Sequence, residues 1–210
     1  MEKLILIGAG GYAKSALDSL DIYNYRPVGF IDSFVEKAKH VGYPILGKNL
    51  DVIHNPEKYT YFISIGNNHD RKHWYELLRQ RNLRVITIVD HTALVSSHAK
   101  IGHGCFIGKF AIINSMASIG NNSIVNTKAL VEHGCHVSDH VNLSTNSVIN
   151  GDVHVGTGSF IGSCSVVIGQ KIIGDWSTVG AGAVVTKDVG ERMTVAGIPA
   201  RIIKEESVPV

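Results

Sequence analysis

A six-residue period runs through the second half of the chain. Every sixth position from residue 101 to residue 185 is aliphatic, fifteen in succession without an exception, and Val89 and Val95 extend the register backwards. This period matches neither an α-helix, which repeats about every 3.6 residues, nor an alternating strand, which repeats about every two. It predicts a solenoid in which each flat side is one short strand. The fifteen positions are Ile101, Ile107, Ile113, Ile119, Val125, Val131, Val137, Leu143, Ile149, Val155, Ile161, Val167, Ile173, Val179 and Val185.

A second position of the repeat is mostly small. Four places after the aliphatic residue the chain usually has Cys, Ala or Ser, with Lys171 as the clearest departure and Val141 and Val153 as milder ones. Three repeats would close a triangular coil of about eighteen residues, with the aliphatic residues stacked in three internal ladders. Each coil then buries its neighbour.

The start of the chain predicts a strand followed by a phosphate cradle. Residues 3–7 are apolar, and residues 8–13 supply glycines where the chain would turn into a helix that extends through Leu20. Glycines let backbone N–H groups approach an anion, and the N-terminus of a helix adds a partial positive charge. We therefore expect an anionic group of a ligand to bind at this turn.

Two further strands complete a small α/β unit. Residues 27–31 end at Asp32, about where an acidic residue contacts the ribose in dinucleotide-binding folds. Residues 61–65 run into Gly66, and Arg71, Lys72 and residues 74–83 are predicted to form the next helix. Strand ends that converge on one edge of a parallel sheet form a ligand crevice.

The segment before the repeat has room for only a truncated sheet. No second catalytic domain of the kind found in NAD-dependent dehydrogenases follows it, so that function is not favoured. The sequence instead predicts a small α/β N-terminal Rossmann-like domain at residues 1–87, with a ligand crevice at its strand ends. A parallel β-helix domain with a C-terminal tail would occupy residues 88–210.

Composition excludes several classes of partner. Lys and Arg total 20 against 18 Asp and Glu, and no run of basic residues provides a positively charged surface for nucleic acid.

The apolar start is too short for a signal peptide, and no segment approaches the length of a membrane span, so a soluble cytoplasmic protein is expected. Cys105, Cys135 and Cys164 lack a CxxC spacing and are predicted to be small buried thiols.

Six segments together resemble one bacterial family, the hexapeptide-repeat sugar O- and N-acetyltransferases, which includes the sialic-acid O-acetyltransferases and the UDP-amino-sugar N-acetyltransferases. They read GAGGYAK, GFIDS, SIGNN, NTKALVEHG, GAGAVVTKDV and AGIPAR, and they are spread over nearly the whole chain. The resemblance implies a left-handed β-helix and acetyl-CoA as co-substrate. No metal is expected, because the coil histidines lack the spacing of the three His ligands in γ-type carbonic anhydrases. The resemblance also implies a homotrimer with active sites between subunits, and a sialic acid or nucleotide-linked amino sugar as acceptor for surface glycan synthesis.

The resemblance implies a nucleotide site on the front domain. Its residues would be Gly10, Gly11, Tyr12, Asp32, Ser33 and Gly66. Tyr12 stands where many relatives have His, and Ser33 stands where many have a second Asp.

The resemblance also implies a catalytic base, His133, which lies in the segment Asn126-Thr127-Lys128-Ala129-Leu130-Val131-Glu132-His133. Two places after inward-facing Val131, its side chain should face outward near a corner of the solenoid. Relatives commonly have Glu or Asp directly after this His to orient the imidazole, whereas this chain has Gly134. Glu132 should point the other way along its strand, which leaves a backbone carbonyl or Asn126 to set the tautomer.

By the same resemblance, four residues would contact acetyl-CoA. Asn142 replaces a His that touches the acetyl group, Gly151 would offer its backbone N–H to the thioester oxygen, and Ser163 and Ala181 would line the pantetheine channel. The basic residues that could contact the CoA phosphates are Lys187, Arg201 and Lys204.

Transfer is expected to proceed by direct attack of a hydroxyl or amine, without an acyl-enzyme, and the sequence does not distinguish oxygen from nitrogen as the acceptor atom. Two other functions fit the fold. One is a metal-dependent hydratase like the γ-type carbonic anhydrases, because the coils contain further histidines that could bind a metal. These are His103, His136, His140 and His154. A non-catalytic nucleotide-sugar-binding module is the other alternative.

Overall fold

A computed structural model describes residues 1–34 and 37–205. The front of the chain is a twisted sheet with strand order β3-β4-β2-β1-β5-β6, in which β1 runs parallel to both β2 and β5. Its elements are β1 (Glu2–Ile7), α1 (Gly11–Asp18), β2 (Tyr25–Ile31), β3 (Lys39–His40), β4 (Tyr43–Gly47), 3₁₀ turns at Leu50–Val52 and Pro56–Lys58, β5 (Thr60–Ile63), α2 (Asn68–Gln80) and β6 (Arg84–Val85).

The remainder is a left-handed parallel β-helix: the six-residue period predicts the solenoid, and the family resemblance implies its left hand. Within the described part of the chain, two-residue strands follow one another every six residues and form three flat faces. We name them the domain face, the aliphatic face and the histidine face. The domain face holds β7 (Ile88–Val89), β10 (Phe106–Ile107), β13 (Ile124–Val125), β16 (Asn142–Leu143), β19 (Phe160–Ile161) and β22 (Thr178–Val179), extended by β24 (Met193–Ala196) and β25 (Arg201–Glu205).

The other two faces contain only two-residue strands. The aliphatic face holds β8 (Leu94–Val95), β11 (Ile112–Ile113), β14 (Leu130–Val131), β17 (Val148–Ile149), β20 (Val166–Val167) and β23 (Val184–Val185). The histidine face holds β9 (Lys100–Ile101), β12 (Ser118–Ile119), β15 (His136–Val137), β18 (His154–Val155) and β21 (Ile172–Ile173).

The second residue of each short strand points into the prism. From Ile107 to Val185 these aliphatic side chains are buried in one continuous core, together with small residues such as Ala111 and Ala129. Val141 and Val153 also fit inside this core, whereas Lys171 remains partly exposed. Strands on one face pair in register with strands eighteen residues away, as Leu130 pairs with Val148. Stacked coils thus bury one another.

The structure corrects three sequence predictions. Cys164 is exposed, because it lies at a turn one place before the inward-facing small position, whereas Cys105 and Cys135 occupy that position and are buried. α2 begins at Asn68, because the side chain of Asn67 caps it by accepting from the backbone N–H groups of His69 and Asp70. The helix ends at Gln80. The first helix ends at Asp18, before Leu20.

The front sheet packs against the domain face. Phe106 and Ile124 point outward from the β-helix and join Phe62 in one buried cluster. The ring of Tyr12 meets the edge of Phe106 at 5.3 Å between centroids. This packing fixes which side of the prism the front domain covers.

Candidate active site

A cavity of about 590 Å³ opens at the carboxyl ends of β1, β2 and β5. It is lined by Ile7, Gly8, Gly10, Gly11, Tyr12, Ile31, Asp32, Ser33, Phe34, Ser64, Ile65, Gly66, Asp70, His73 and Trp74. All six residues of the expected nucleotide site therefore lie around one cavity. Gly8 has φ +96°, and a Cβ there would lie 2.7 Å from Cγ1 of Ile65, so the turn requires glycine.

Two of these residues also hold the cavity wall together. The carboxylate of Asp32 accepts from the backbone N–H of Ala9 at 2.6 Å and from that of Phe34 at 2.8 Å, which ties the glycine-rich turn to the loop after β2. Tyr12 lines the cavity as an uncharged side chain, and burial moves the pKa of its phenol further above the neutral range.

Sequence reasoning missed one side of this cavity. Asp70, His73 and Trp74 line it from α2, and Phe34 and Ser64 follow two of the strands. The spacing of the three α2 residues is i, i+3 and i+4, which places them on one helical face. That spacing, directly after the SIGNN segment, is the signal that could have identified them.

Arg71 fixes Gly66 relative to the β-helix. Its guanidinium is buried and donates to the carbonyl oxygens of Gly66 at 3.1 Å, Asn122 at 2.9 Å and His140 at 2.7 Å. Burial lowers the pKa of Arg71 to about 10, which leaves it charged at neutral pH. The cation therefore joins the cavity wall to two successive coils.

His140 lies beneath this guanidinium as a neutral ring. Burial lowers the pKa of its imidazole to about 4, and its Nδ1 lies 2.8 Å from Nδ2 of Asn122. A neutral imidazole nitrogen can accept that amide hydrogen. Among the coil histidines, His140 is thus a packing residue.

His133 is exposed at the corner between the aliphatic and histidine faces, as predicted. Its ring lies directly over Gly151 of the next coil, since a Cβ on Gly151 would be 2.6 Å from Cε1 and 2.7 Å from Nε2. The carboxylate of Glu132 accepts from the backbone N–H of His133 at 3.3 Å, and the side chain of Asn126 accepts from that of Thr127 at 2.8 Å. The structure therefore brings the expected base and the expected oxyanion donor together.

The other expected acetyl-CoA residues lie elsewhere on the prism. Asn142 is buried on the domain face, where its Nδ2 lies 3.5 Å from the carbonyl oxygen of Gly66. Ser163 and Ala181 are exposed at the corner between the domain and aliphatic faces, where the N–H of Gly182 donates to the carbonyl of Ser163 at 2.9 Å.

The corner that carries His133 is opposite the face that the front domain covers. Within one chain, the cavity and Asn142 lie on one side of the prism, and His133 with Gly151 lies on the other. The expected site residues thus form three separate groups in a single copy.

Residues 1–34 and 37–205 contain no group of three or more His, Cys, Asp or Glu side chains that could hold a metal ion. They also contain no helix with the length and apolar character needed to cross a membrane.

Known proteins resemble this chain over nearly its whole length. Residues 3–78 match the family described as the PglD N-terminal domain. The perosamine N-acetyltransferase of Caulobacter crescentus, solved with CoA and GDP-perosamine, is 28% identical, with a TM-score of 0.92 and 97% of each chain covered.

Two more solved structures are similar to this chain over nearly its whole length. WeeI from Acinetobacter baumannii is 28% identical, with a TM-score of 0.85, over 95% of this chain and 99% of its own. The acetyltransferase domain of PglB from Neisseria gonorrhoeae is 30% identical, with a TM-score of 0.92, over 97% of this chain and 100% of its own. The chain therefore belongs to the hexapeptide-repeat sugar acetyltransferases and is an acyltransferase.

Proposed function

We propose that this protein transfers the acetyl group of acetyl-CoA to an amine or hydroxyl of a nucleotide-linked amino sugar, with His133 as general base. The observation that carries the proposal is the placement of an exposed imidazole directly over the backbone of Gly151. Imidazole suits proton uptake near neutral pH. Acyl transfer also needs a donor for the developing oxyanion, and backbone N–H groups commonly supply it.

The backbone N–H of Gly151 is available for that role. Among the described residues it has no hydrogen-bond acceptor, whereas the next N–H, that of Asp152, donates to the carbonyl of His133 at 3.0 Å. In the proposed reaction His133 takes the proton of the acceptor group as that group attacks the thioester carbonyl. Gly151 stabilises the resulting negative charge. The intermediate then collapses, the C–S bond breaks, and the CoA sulfur leaves as a thiol with the proton from the His133 imidazolium, so that no acyl-enzyme is required.

The front cavity favours a nucleotide-linked acceptor over free sialic acid. Its volume and its glycine-rich turn at the start of α1 suit a nucleoside diphosphate, since backbone N–H groups and the helix N-terminus favour phosphate. The Caulobacter enzyme was solved with GDP-perosamine. We propose that residues 1–87 hold the nucleotide sugar through Gly10, Gly11, Tyr12, Asp32, Ser33 and Gly66, while residues 88–210 carry the acetyl-transfer chemistry.

Small residues provide a path for the pantetheine arm. At the corner between the domain and aliphatic faces, Ser163 and Ala181 lie on stacked turns so close that a Cβ on Gly162 would lie 2.6 Å from the N of Ala181. Such a surface admits a thin chain without obstruction. Acetyl-CoA would supply the thioester there, and Lys187, Arg201 and Lys204 would contact its phosphates.

A homotrimer would bring the separated groups together. The outward residues of the aliphatic face are all apolar and are Leu94, Ile112, Leu130, Val148, Val166 and Val184. Leu94 is 65% exposed in the single chain. A continuous apolar sheet face of this kind favours association with another copy. We propose that a neighbour's His133 corner then approaches the Ser163 corner and the cavity of this chain.

Thiol release from acetyl-CoA tests the proposed function. The acceptor panel comprises UDP- and GDP-linked 4-amino sugars, CMP-sialic acid and free sialic acid, assayed with wild type, His133→Ala and His136→Ala. We expect release with a nucleotide-linked amino sugar, loss in His133→Ala, and retention in His136→Ala, which removes another exposed coil histidine. Sugar-nucleotide binding without release would instead favour the binding module, and an active His133→Ala would exclude the proposed base.

A further inference from the structure

We infer that Asp152 is the positioning residue for His133. Its carboxylate lies on the next coil and takes the place of the acidic side chain that residue 134, a glycine, does not provide. The inference rests on the proposed role of His133 as the base. Asp152 lies eighteen residues after Gly134, which is one full coil. The strands just before these two residues pair in register, Leu130 of β14 with Val148 of β17 and Val131 with Ile149. Gly134 and Asp152 therefore occupy the same place on successive coils.

The Asp152 carboxylate fills the space beside Gly134. A Cβ built on Gly134 would overlap Oδ1 of Asp152, so a side chain on residue 134 and this carboxylate exclude each other. Both residues are at the left-handed corner position, with φ +67° for Gly134 and +59° for Asp152. Asp tolerates this conformation better than most residues.

The backbone of Asp152 is fixed beneath the imidazole. Its N–H donates to the carbonyl oxygen of His133 at 3.0 Å, which holds the two residues in register. The Oδ1 of Asp152 lies 4.0 Å from Nδ1 of His133, within reach of an ion pair. Both side chains are more than half exposed, so a small side-chain rotation closes this gap to a hydrogen bond.

The neighbouring carboxylate does not compete for the ring. Glu132 directs Oε2 to the backbone N–H of His133 at 3.3 Å. Cys135, the nearest thiol in the sequence, is buried inside the coil, where burial raises its pKa. Asp152 is thus the acidic group that faces Nδ1.

A carboxylate at Nδ1 has a defined chemical effect. By accepting from Nδ1–H it selects the tautomer whose Nε2 carries the free lone pair, and it stabilises the imidazolium that forms when Nε2 takes a proton. The ring also packs against Gly151, where a Cβ would lie 2.7 Å from Nε2, so Nε2 is held close to the residue whose backbone N–H is proposed to bind the oxyanion.

Asp152→Asn tests the inference, with Glu132→Gln as the matched control, since Gln keeps an oxygen for the backbone N–H. Asp152→Asn should lower kcat about 10- to 100-fold with little change in the KM for acetyl-CoA. The ¹⁵N spectrum of the His133 imidazole should lose its preference for the Nδ1–H tautomer. Glu132→Gln should change neither.

A second test moves the carboxylate from residue 152 to residue 134. Gly134→Glu alone should lose activity because its side chain collides with Asp152, whereas Gly134→Glu combined with Asp152→Gly should recover kcat to within about fivefold of wild type. Thermal melts and acetyl-CoA binding identify any variant that fails to fold.

Unchanged kcat and an unchanged His133 spectrum in Asp152→Asn would overturn the inference, while loss of activity in His133→Ala would still support the proposed base. Activity in His133→Ala would instead exclude the base, whatever Asp152 does.

Discussion

The guanidinium of Arg71 donates to the carbonyl oxygen of His140 at 2.7 Å, and this contact joins helix α2 of the front domain to the corner of a β-helix coil. The same side chain reaches Gly66 at the cavity and Asn122 one coil earlier. One buried cation thus connects the front cavity to the β-helix, and the position of the cavity depends on it.

Arg71→Met should therefore destabilise the protein strongly. It leaves the buried carbonyl oxygens of Asn122 and His140 without their donor and removes the bond to Gly66, and loss of such a buried charged network costs about 3 kcal/mol. Chemical denaturation measures the change. Arg79→Met, on an exposed position of the same helix, is the matched control and should change the free energy of unfolding by less than about 0.5 kcal/mol. Equal effects of the two variants would contradict the structural role of Arg71.

Stability should fall as the pH is lowered from 6.5 towards 4. The pKa of His140 is about 4 in the folded protein against an ordinary 6.5, because burial disfavours the charged ring. Between these values the unfolded chain binds a proton that the folded chain does not, so acid favours unfolding by at most about 1.4 kcal/mol per pH unit.

His140→Asn tests this pH dependence, since Asn tolerates the φ of +63° at this position. The variant should show a flatter dependence of the free energy of unfolding on pH over the same range. Parallel curves for wild type and variant would exclude His140 as the cause.

The sequence predicts the β-helix well because its fold depends on a local repeat: the same residue in every hexad faces the core, from Ile107 to Val185. The side of the cavity formed by strand ends is predicted equally well, since parallel strand ends must meet at one edge, whereas the side formed by Asp70, His73 and Trp74 of α2 is not. Asp152 escapes prediction because its relation to Gly134 crosses eighteen residues and depends on coil register. The prediction that Cys164 is buried is wrong, because its place in the six-residue repeat is a turn position.

Gly151→Ala should reduce kcat at least about 10-fold because it displaces the imidazole of His133. The added Cβ would lie 2.6 Å from Cε1 of His133, so the ring must move away from its place over the backbone. A misplaced base costs rate even when the substrates still bind. Acetyl-CoA binding and the melting temperature should change little.

A double-mutant cycle distinguishes displacement of the ring from damage elsewhere. In the His133→Ala background no ring remains to be displaced, so Gly151→Ala should cause little further loss. Full additivity of the two losses would mean that the substitution acts independently of His133, for example by shifting the backbone N–H.

Leu130→Glu should disrupt the proposed trimer. It places a charge in the middle of the apolar row on the aliphatic face, and an unpaired charge buried in an interface is strongly unfavourable. Sedimentation should show smaller species and activity should fall with them. Ile172→Glu, an equivalent change at a 56% exposed position on the histidine face, should leave the assembly intact. Dissociation by Ile172→Glu alone would assign the interface to the wrong face.

Complementation between two inactive variants tests whether the active site is shared between copies. Gly10→Glu should fold, because a Cβ on Gly10 meets open space and its φ is −88°, but its negative charge would repel a phosphate in the cavity. His133→Ala should lack the base while keeping the cavity. Each variant alone should therefore be inactive with a nucleotide-linked acceptor.

Co-expression of the two variants in equal amounts should restore about a quarter of wild-type activity, since that share of subunit pairs combines an intact cavity with an intact His133. Within one chain the two features lie on opposite sides of the prism, so a site confined to one chain would give no recovery. Recovery should also disappear when Leu130→Glu is added to both variants, because the sites then separate. Recovery that persisted in the dissociated species would contradict a site formed between copies.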